Sequence, residues 1–121
     1  MFSGLRTVVY HVDQIESATR WYAQVLGQEP YFCEPFYVGF NVGGYELGLD
    51  PDMSSIARGN SQVAYWGVAD VDAAHARLLE LGARADRPVQ DVGSGIRVAS
   101  VLDPFGNVVG IIENPHFKLE A

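Results

Sequence analysis

One carboxylate in the stretch GGYELGLD (43–50) stands where chemistry could be done. Tyr45, Leu47 and Leu49 recur at every second place, so Glu46 and Asp50 project to the side opposite the leucines. Three roles are open to such an acid. It can be a structural carboxylate, solvated or paired with a base such as Arg97. It can bind a cationic or hydrogen-donating ligand. It can also be a general base whose pKa is raised by an apolar surrounding, with His11 as the second acid–base group if the protein is an enzyme. Nucleophilic chemistry finds less support. No serine sits in a Gly-x-Ser-x-Gly elbow, and the lone cysteine, Cys33, has only Phe32 and Glu34 beside it, neither of which favours a thiolate. The GSG at 93–95 is followed by no helical pattern, so it is neither a phosphate loop nor a dinucleotide fingerprint.

The elements that must position these groups follow from periodicity. LRTVVYHV (5–12) reads as a strand, with Thr7, Val9 and His11 on one face and Val8, Tyr10 and Val12 on the other. IESATRWYAQVLG (15–27) reads as a helix with Ile15, Ala18, Tyr22, Val25 and Leu26 on one stripe and Gly27 as its stop. EPYF (29–32) is a short extended piece. FYVGFNV (36–42) and YELGLD (45–50) flank Gly43-Gly44, a two-residue hairpin signal. That turn pairs Val42 with Tyr45, Asn41 with Glu46, Gly39 with Gly48 and Tyr37 with Asp50. Tyr37, Asn41, Glu46 and Asp50 then share a polar-aromatic face, while Val38, Phe40, Leu47 and Leu49 share an apolar face that must take the helix.

After a polar joint, PDMSSIARGNS (51–61), the order starts again. VAYWGV (63–68) is a strand. VDAAHARLLELG (71–82) is a helix with Val71, Ala74, Leu78 and Leu81 on its stripe, leaving His75 toward solvent. IRVASVL (96–102) and VVGIIE (108–113) flank the turn DPFGN. Each half thus reads strand, helix and three strands, the first of those three being weak in both. The repeat is about 56 residues long. The fold class expected is α+β, two βαβββ modules, module one about 1–52 and module two about 61–121, their sheets curving round a shared groove. On module two Val63, Tyr65 and Gly67 share a face, as do Val108, Gly110 and Ile112, and Trp66 points to the helix. Glycines 39, 48, 67 and 110 either leave room for a flat ligand or relieve crowding in a curved sheet.

Composition bounds the rest. The chain has 121 residues, of which 48% are hydrophobic, enough for the core of one globular domain. Fifteen acids against eight bases give a formal charge of −7, which disfavours nucleic acid and anionic membranes and favours solubility or a cationic ligand. A single cysteine excludes an internal disulfide and paired-thiol zinc sites. No apolar run reaches membrane-spanning length and residues 1–6 show no secretory pattern, so a cytoplasmic protein is expected.

The pieces WYAQVLG (21–27), GVADVDAAHARLLELGA (67–83) and LDPFGNVVGIIE (102–113), in this order and spacing, resemble the vicinal oxygen chelate superfamily. That superfamily includes glyoxalase I, bleomycin-resistance proteins, fosfomycin-resistance enzymes and extradiol dioxygenases. The resemblance covers nearly the whole chain and implies paired βαβββ modules and a frequent homodimer. Its metal-using members place His, Gln or Glu at four inward positions, which fall here on Thr7, Glu46, Val63 and Gly110. Only Glu46 carries such a donor, and a divalent ion needs at least three. No metal cofactor is therefore expected. The expected function is metal-independent binding of a small organic molecule, in the manner of the bleomycin-resistance proteins, with a cationic aromatic compound or antibiotic as ligand. Its contact residues would be Thr7, His11, Tyr37, Asn41, Glu46, Asp50, Val63, Tyr65 and Gly110. The alternative is a lyase, isomerase or dioxygenase working through atypical ligands or through Glu46 and His11.

Overall fold

The computed structural model describes residues 1, 3–54, 56 and 63–116; the end of the 51–61 joint, from 57 onward, lies outside them. The chain divides into two compact units, Met1–Arg58 and Gly59–Ala121.

In the first unit the order is β1 (Thr7–His11), α1 (Ile15–Leu26), β2 (Phe32–Glu34), β3 (Tyr37–Val42) and β4 (Tyr45–Asp50). The strands form one sheet in the order β1-β4-β3-β2, with β1 parallel to β4 and the other pairs antiparallel. Gly43 and Gly44 have φ of 60° and 93°. A type I′ turn needs positive φ at both places, and this is what fixes the hairpin register. The register is the expected one: Asn41 faces Glu46 and Gly39 faces Gly48. Val38, Phe40, Leu47 and Leu49 are buried on the side where α1 packs. Helix α1 buries Ala18, Trp21 and Tyr22. Trp21 lies three residues after Ala18 and so widens the expected stripe, whereas Ile15, Val25 and Leu26 are only half-buried. Tyr22 stacks on Tyr10 from β1 and meets Trp21 edge-on, with ring centroids 5.9 Å and 4.8 Å apart. Gly27, at φ 66°, ends the helix in the left-handed region.

The second unit repeats the plan with β5 (Ala64–Gly67), α2 (Val71–Glu80), β6 (Arg84–Asp91), β7 (Arg97–Leu102) and β8 (Val108–Glu113), in the sheet order β5-β8-β7-β6. Asp70 caps α2 by accepting from the Ala73 N–H. At the other end the N–H groups of Gly82 and Ala83 return to the carbonyls of Leu79 and Leu78, a Schellman closure that needs the positive φ of Gly82. Two details depart from expectation. β6 is not weak: it spans eight residues, with irregular pairing to β7 and with Pro88 tolerated because β6 ends its sheet. His75 does not face solvent. It lies four residues after Val71 and three before Leu78, both buried, so it shares their stripe; its Nε2 is shut off from solvent and has no hydrogen-bond partner among the described residues.

The DPFGN turn is held by Asp103, which is fully buried. Its Oδ1 accepts from the N–H groups of Phe105 and Asn107, and its Oδ2 from Asn107 Nδ2. Among the described residues no helix is long and apolar enough to cross a membrane.

Candidate ligand-binding site

Alternation along β3 and β4 leaves one face of the first sheet free of α1, and Glu46 lies on it, opposite Thr7 of β1 and Asn41 of β3. Its carboxylate receives three hydroxyls. Thr7 Oγ1 donates to Oε1 at 3.2 Å, as β1 runs beside β4 with Thr7 opposite Glu46. Tyr37 Oη donates to the same oxygen at 2.8 Å, and Tyr31 Oη donates to Oε2.

Charge-assisted bonds favour the ionised form. The Tyr31 and Tyr37 hydroxyls, with a smaller contribution from Thr7, therefore hold Glu46 below the usual glutamate value, against a modest opposing effect of burial. The reciprocal effect falls on the tyrosines. The bond to Glu46, then burial and the carboxylate's charge, raise Tyr31. Burial first, then the bond to Glu46, pushes Tyr37 up to about 12. At neutral pH the cluster is one carboxylate and three protonated hydroxyls. This corrects one of the roles considered for Glu46: it is not a base with a raised pKa. Arg97, considered as its partner, bonds Asp72 at 2.7 Å.

Tyr31 is the residue that sequence reading missed. It lies just before β2, where its N–H bonds the Gly39 carbonyl at 3.0 Å. A signal was present in the glycines. A Cβ added to Gly39 would meet Glu46 Oε2 at 2.9 Å and the Tyr31 ring at 3.1 Å. One added to Gly48 would collide with the Tyr37 hydroxyl and ring. These glycines do make room for something flat, and what fills the room is the chain's own tyrosine rings.

The other expected contacts on this unit are spread out. Asn41 is on the same face, but its Oδ1 accepts from the Gly44 N–H at 2.9 Å and serves the turn. His11 pairs with Asp50 across the strands, four residue steps or roughly 13 Å from the Thr7–Glu46 pair. Its Nδ1 donates to the Asp52 carbonyl at 3.0 Å. Asp50 Oδ1 accepts from the Asp52 N–H. The structure thus does not bring His11 and Glu46 together as an acid–base pair. Two tyrosines bond the carboxylate instead, and further aromatic rings lie next to them. Tyr31 is 63% exposed and Phe36 66% exposed, and Phe32 lies with its ring centroid 6.2 Å from Phe36 and 6.3 Å from Tyr37.

The corresponding face of the second unit holds Val63, Tyr65 and Gly110. Tyr65 pairs with Gly110 and is half exposed. A Cβ on Gly110 would meet Tyr65 Cδ1 at 2.7 Å, the Ala64 carbonyl at 2.8 Å and Val63 Cγ1 at 2.9 Å. No longer side chain fits there without moving backbone. Gly67 differs, since nothing lies within 4 Å of its missing Cβ. Ser100, opposite Gly110, donates to Asp86 at 2.7 Å.

The donor set does not fit a divalent metal. Thr7 offers a neutral hydroxyl already bonded to Glu46, Val63 and Gly110 offer no donor, and among the described residues no three of His, Cys, Asp and Glu converge.

Several solved structures share the fold of this chain. A glyoxalase-related enzyme from Fulvimarina pelagi is 21% identical, with 99% of this chain and 94% of that one covered at a TM-score of 0.79. Lactoylglutathione lyase from Agrobacterium tumefaciens is 24% identical, with 95% and 98% covered at 0.75. The fosfomycin resistance protein FosX from Mesorhizobium loti is 17% identical, with 96% of each chain covered at 0.74. At such identities the likeness establishes the fold. No curated protein matches the sequence. The family model of the Glyoxalase/Bleomycin resistance protein/Dioxygenase superfamily matches residues 4–111, which takes in every helix and strand but the last two residues of β8, and every residue of the Glu46 cluster. With that match across nearly its whole length, the chain belongs to the Glyoxalase/Bleomycin resistance protein/Dioxygenase superfamily.

Proposed function

We propose that the protein binds a small cationic aromatic molecule on the Glu46 face without the help of a metal, sequestering it in the manner of the bleomycin-resistance branch of its family. One observation carries this reading: an ionised carboxylate, with no arginine or lysine bonded to it among the described residues, held by the hydroxyls of Tyr31 and Tyr37, with the Phe32 ring next to Tyr37. Such a site attracts a positive charge and offers flat surface to a ring. The unit carrying it has seven acids and three bases between residues 1 and 58, so the wider field has the same sign. Tyr37, Thr7 and Glu46 are the contacts, with Tyr31 added to those expected; Asn41 flanks them on the same face, and His11 and Asp50 lie farther along it.

The enzymatic alternative has less support. A general base works best with a pKa near the operating pH, and Glu46 is held in the opposite direction. The same reading has the protein cytoplasmic and homodimeric; sedimentation at two concentrations tests the dimer.

The test is a thermal-shift screen of cationic, neutral and anionic aromatics, followed by titration calorimetry on the natural protein and Glu46→Gln. A charge-assisted contact is worth on the order of 1.5–3 kcal/mol, so affinity should fall roughly tenfold or more. Added salt should weaken the natural protein more than the variant. A screen returning only anionic or neutral ligands refutes the reading, as does near one equivalent of transition metal per chain by elemental analysis.

A further inference from the structure

We infer that the Glu46 cluster is a hydrogen-bond acceptor surface that selects, among cations, those that donate hydrogen bonds: primary ammonium, amidinium or guanidinium groups rather than quaternary ammonium. The inference rests on the cationic-ligand reading above and narrows it.

The argument is a count of protons. Thr7, Tyr31 and Tyr37 carry one hydroxyl proton each, and each donates it to Glu46. An ionised carboxylate has no proton and about four acceptor positions. Oε1 uses two, for Thr7 and Tyr37, and Oε2 uses one, for Tyr31. What the cluster can present to a ligand is the remaining position on Oε2 together with hydroxyl lone pairs. All are acceptors. A ligand carboxylate, phosphate or carbonyl would find no donor there, and to gain one it would have to break a charge-assisted bond. A cation without N–H groups would be attracted by the charge but would leave these acceptors stripped of water and unmatched, which costs free energy at each of them. An ammonium or amidinium satisfies charge and acceptors together.

The glycines keep the arrangement in place. With no Cβ at 39 and 48, the Tyr31 ring and the Tyr37 hydroxyl lie against the sheet, where both reach the one carboxylate. Aromatic rings near a cation also permit a different mode, in which ring faces hold a methylated ammonium and donors are irrelevant. The two modes predict opposite trends for one ligand series.

That series is benzylammonium and its N-methyl, N,N-dimethyl and N,N,N-trimethyl forms, titrated by calorimetry into the natural protein at pH 7 and low salt. Charge and ring stay constant while the N–H donors fall from three to none. Affinity is expected to drop at each methylation, by at least tenfold overall. Benzoate should show no binding. In Glu46→Gln, shown to fold by circular dichroism, the hydroxyl protons are released and the preference should shrink to within about threefold. Should that variant not fold, the methylation series on the natural protein decides alone. Affinity that is level or rises with methylation overturns the acceptor surface while leaving a cationic site standing. Failure of every member to bind, with benzoate bound instead, overturns the cationic reading as well.

Discussion

The exposed faces of the two sheets begin from the same plan and end as different surfaces. In both units a glycine on the last strand lies under a tyrosine ring: Gly48 under Tyr37, and Gly110 under Tyr65. In the first unit the hydroxyl at the end of that ring reaches a carboxylate, and Tyr31 and Thr7 reach it as well. In the second unit the ring lies beside Val63, and the carboxylate on hand, Asp86, is bonded by Ser100 at 2.7 Å. The contrast teaches that the βαβββ plan fixes where a side chain can stand but not what it does there. Glu46, with Tyr31 and Thr7 beside it, turns a tyrosine-over-glycine contact into a charged, hydrogen-bonded cluster.

The helix-facing sides should prove alike. Leu49 on the first sheet is fully buried and Ile111 on the second nearly so. Cutting either to alanine should cost about 2–5 kcal/mol in denaturant unfolding. A cost near zero for one of them would show that the two cores are not equivalent.

The glycines should separate the faces. Gly48→Ala meets the movable end of Tyr37, so it should expel the ring and lower ligand affinity more than stability. Gly110→Ala meets the Ala64 carbonyl as well as two side chains, so it should cost stability, about 1–3 kcal/mol, as an overpacked site does. Calorimetric titration and unfolding of both variants check this. Equal losses of affinity would blur the distinction.

Titration sharpens it further. Glu46 is held below its ordinary value of 4.5, so its contribution to stability is present above that pH and is lost as pH falls through the lowered value. Tyr37 is raised from 10.0 to about 12, so its contribution is complete below pH 10 and is lost between there and about 12. Tyr31→Phe removes the largest influence on Glu46 and should move the acid limb toward 4.5. Stability measured against pH, with tyrosinate absorbance on the alkaline side, shows both limbs. An acid limb unchanged in Tyr31→Phe would mean that the bond does not form in solution.

The smallest effect belongs to the second unit's Arg97–Asp72 pair. Its side chains are 35% and 60% exposed, and water screens it. Asp72→Asn should leave stability nearly unchanged and should leave ligand affinity untouched.

Much of the fold was legible along the chain because its causes are local. Gly43-Gly44 fixed the hairpin register, and that register put Glu46 opposite Asn41 and set Leu47 and Leu49 toward the helix. Gly27 and Gly82 marked two helix ends through their positive φ. Period-two alternation separated the polar face from the apolar one. The lack of donors at Thr7, Val63 and Gly110 was likewise a matter of residue type alone. Tertiary structure decided what depended on distant partners. Tyr31 and Tyr37 stand 15 and 9 residues from Glu46, and Thr7 stands 39 away; pairing β1 and β3 to β4 brings Thr7 and Tyr37 to the carboxylate, and the bond from the Tyr31 N–H to Gly39 on β3 brings the third hydroxyl. The direction of the Glu46 pKa follows from those bonds, which is why residue type and strand parity left it open. His75 turned inward because the stripe through Val71 and Leu78 is set by the sheet that α2 packs on, and helical period alone does not say where that sheet lies.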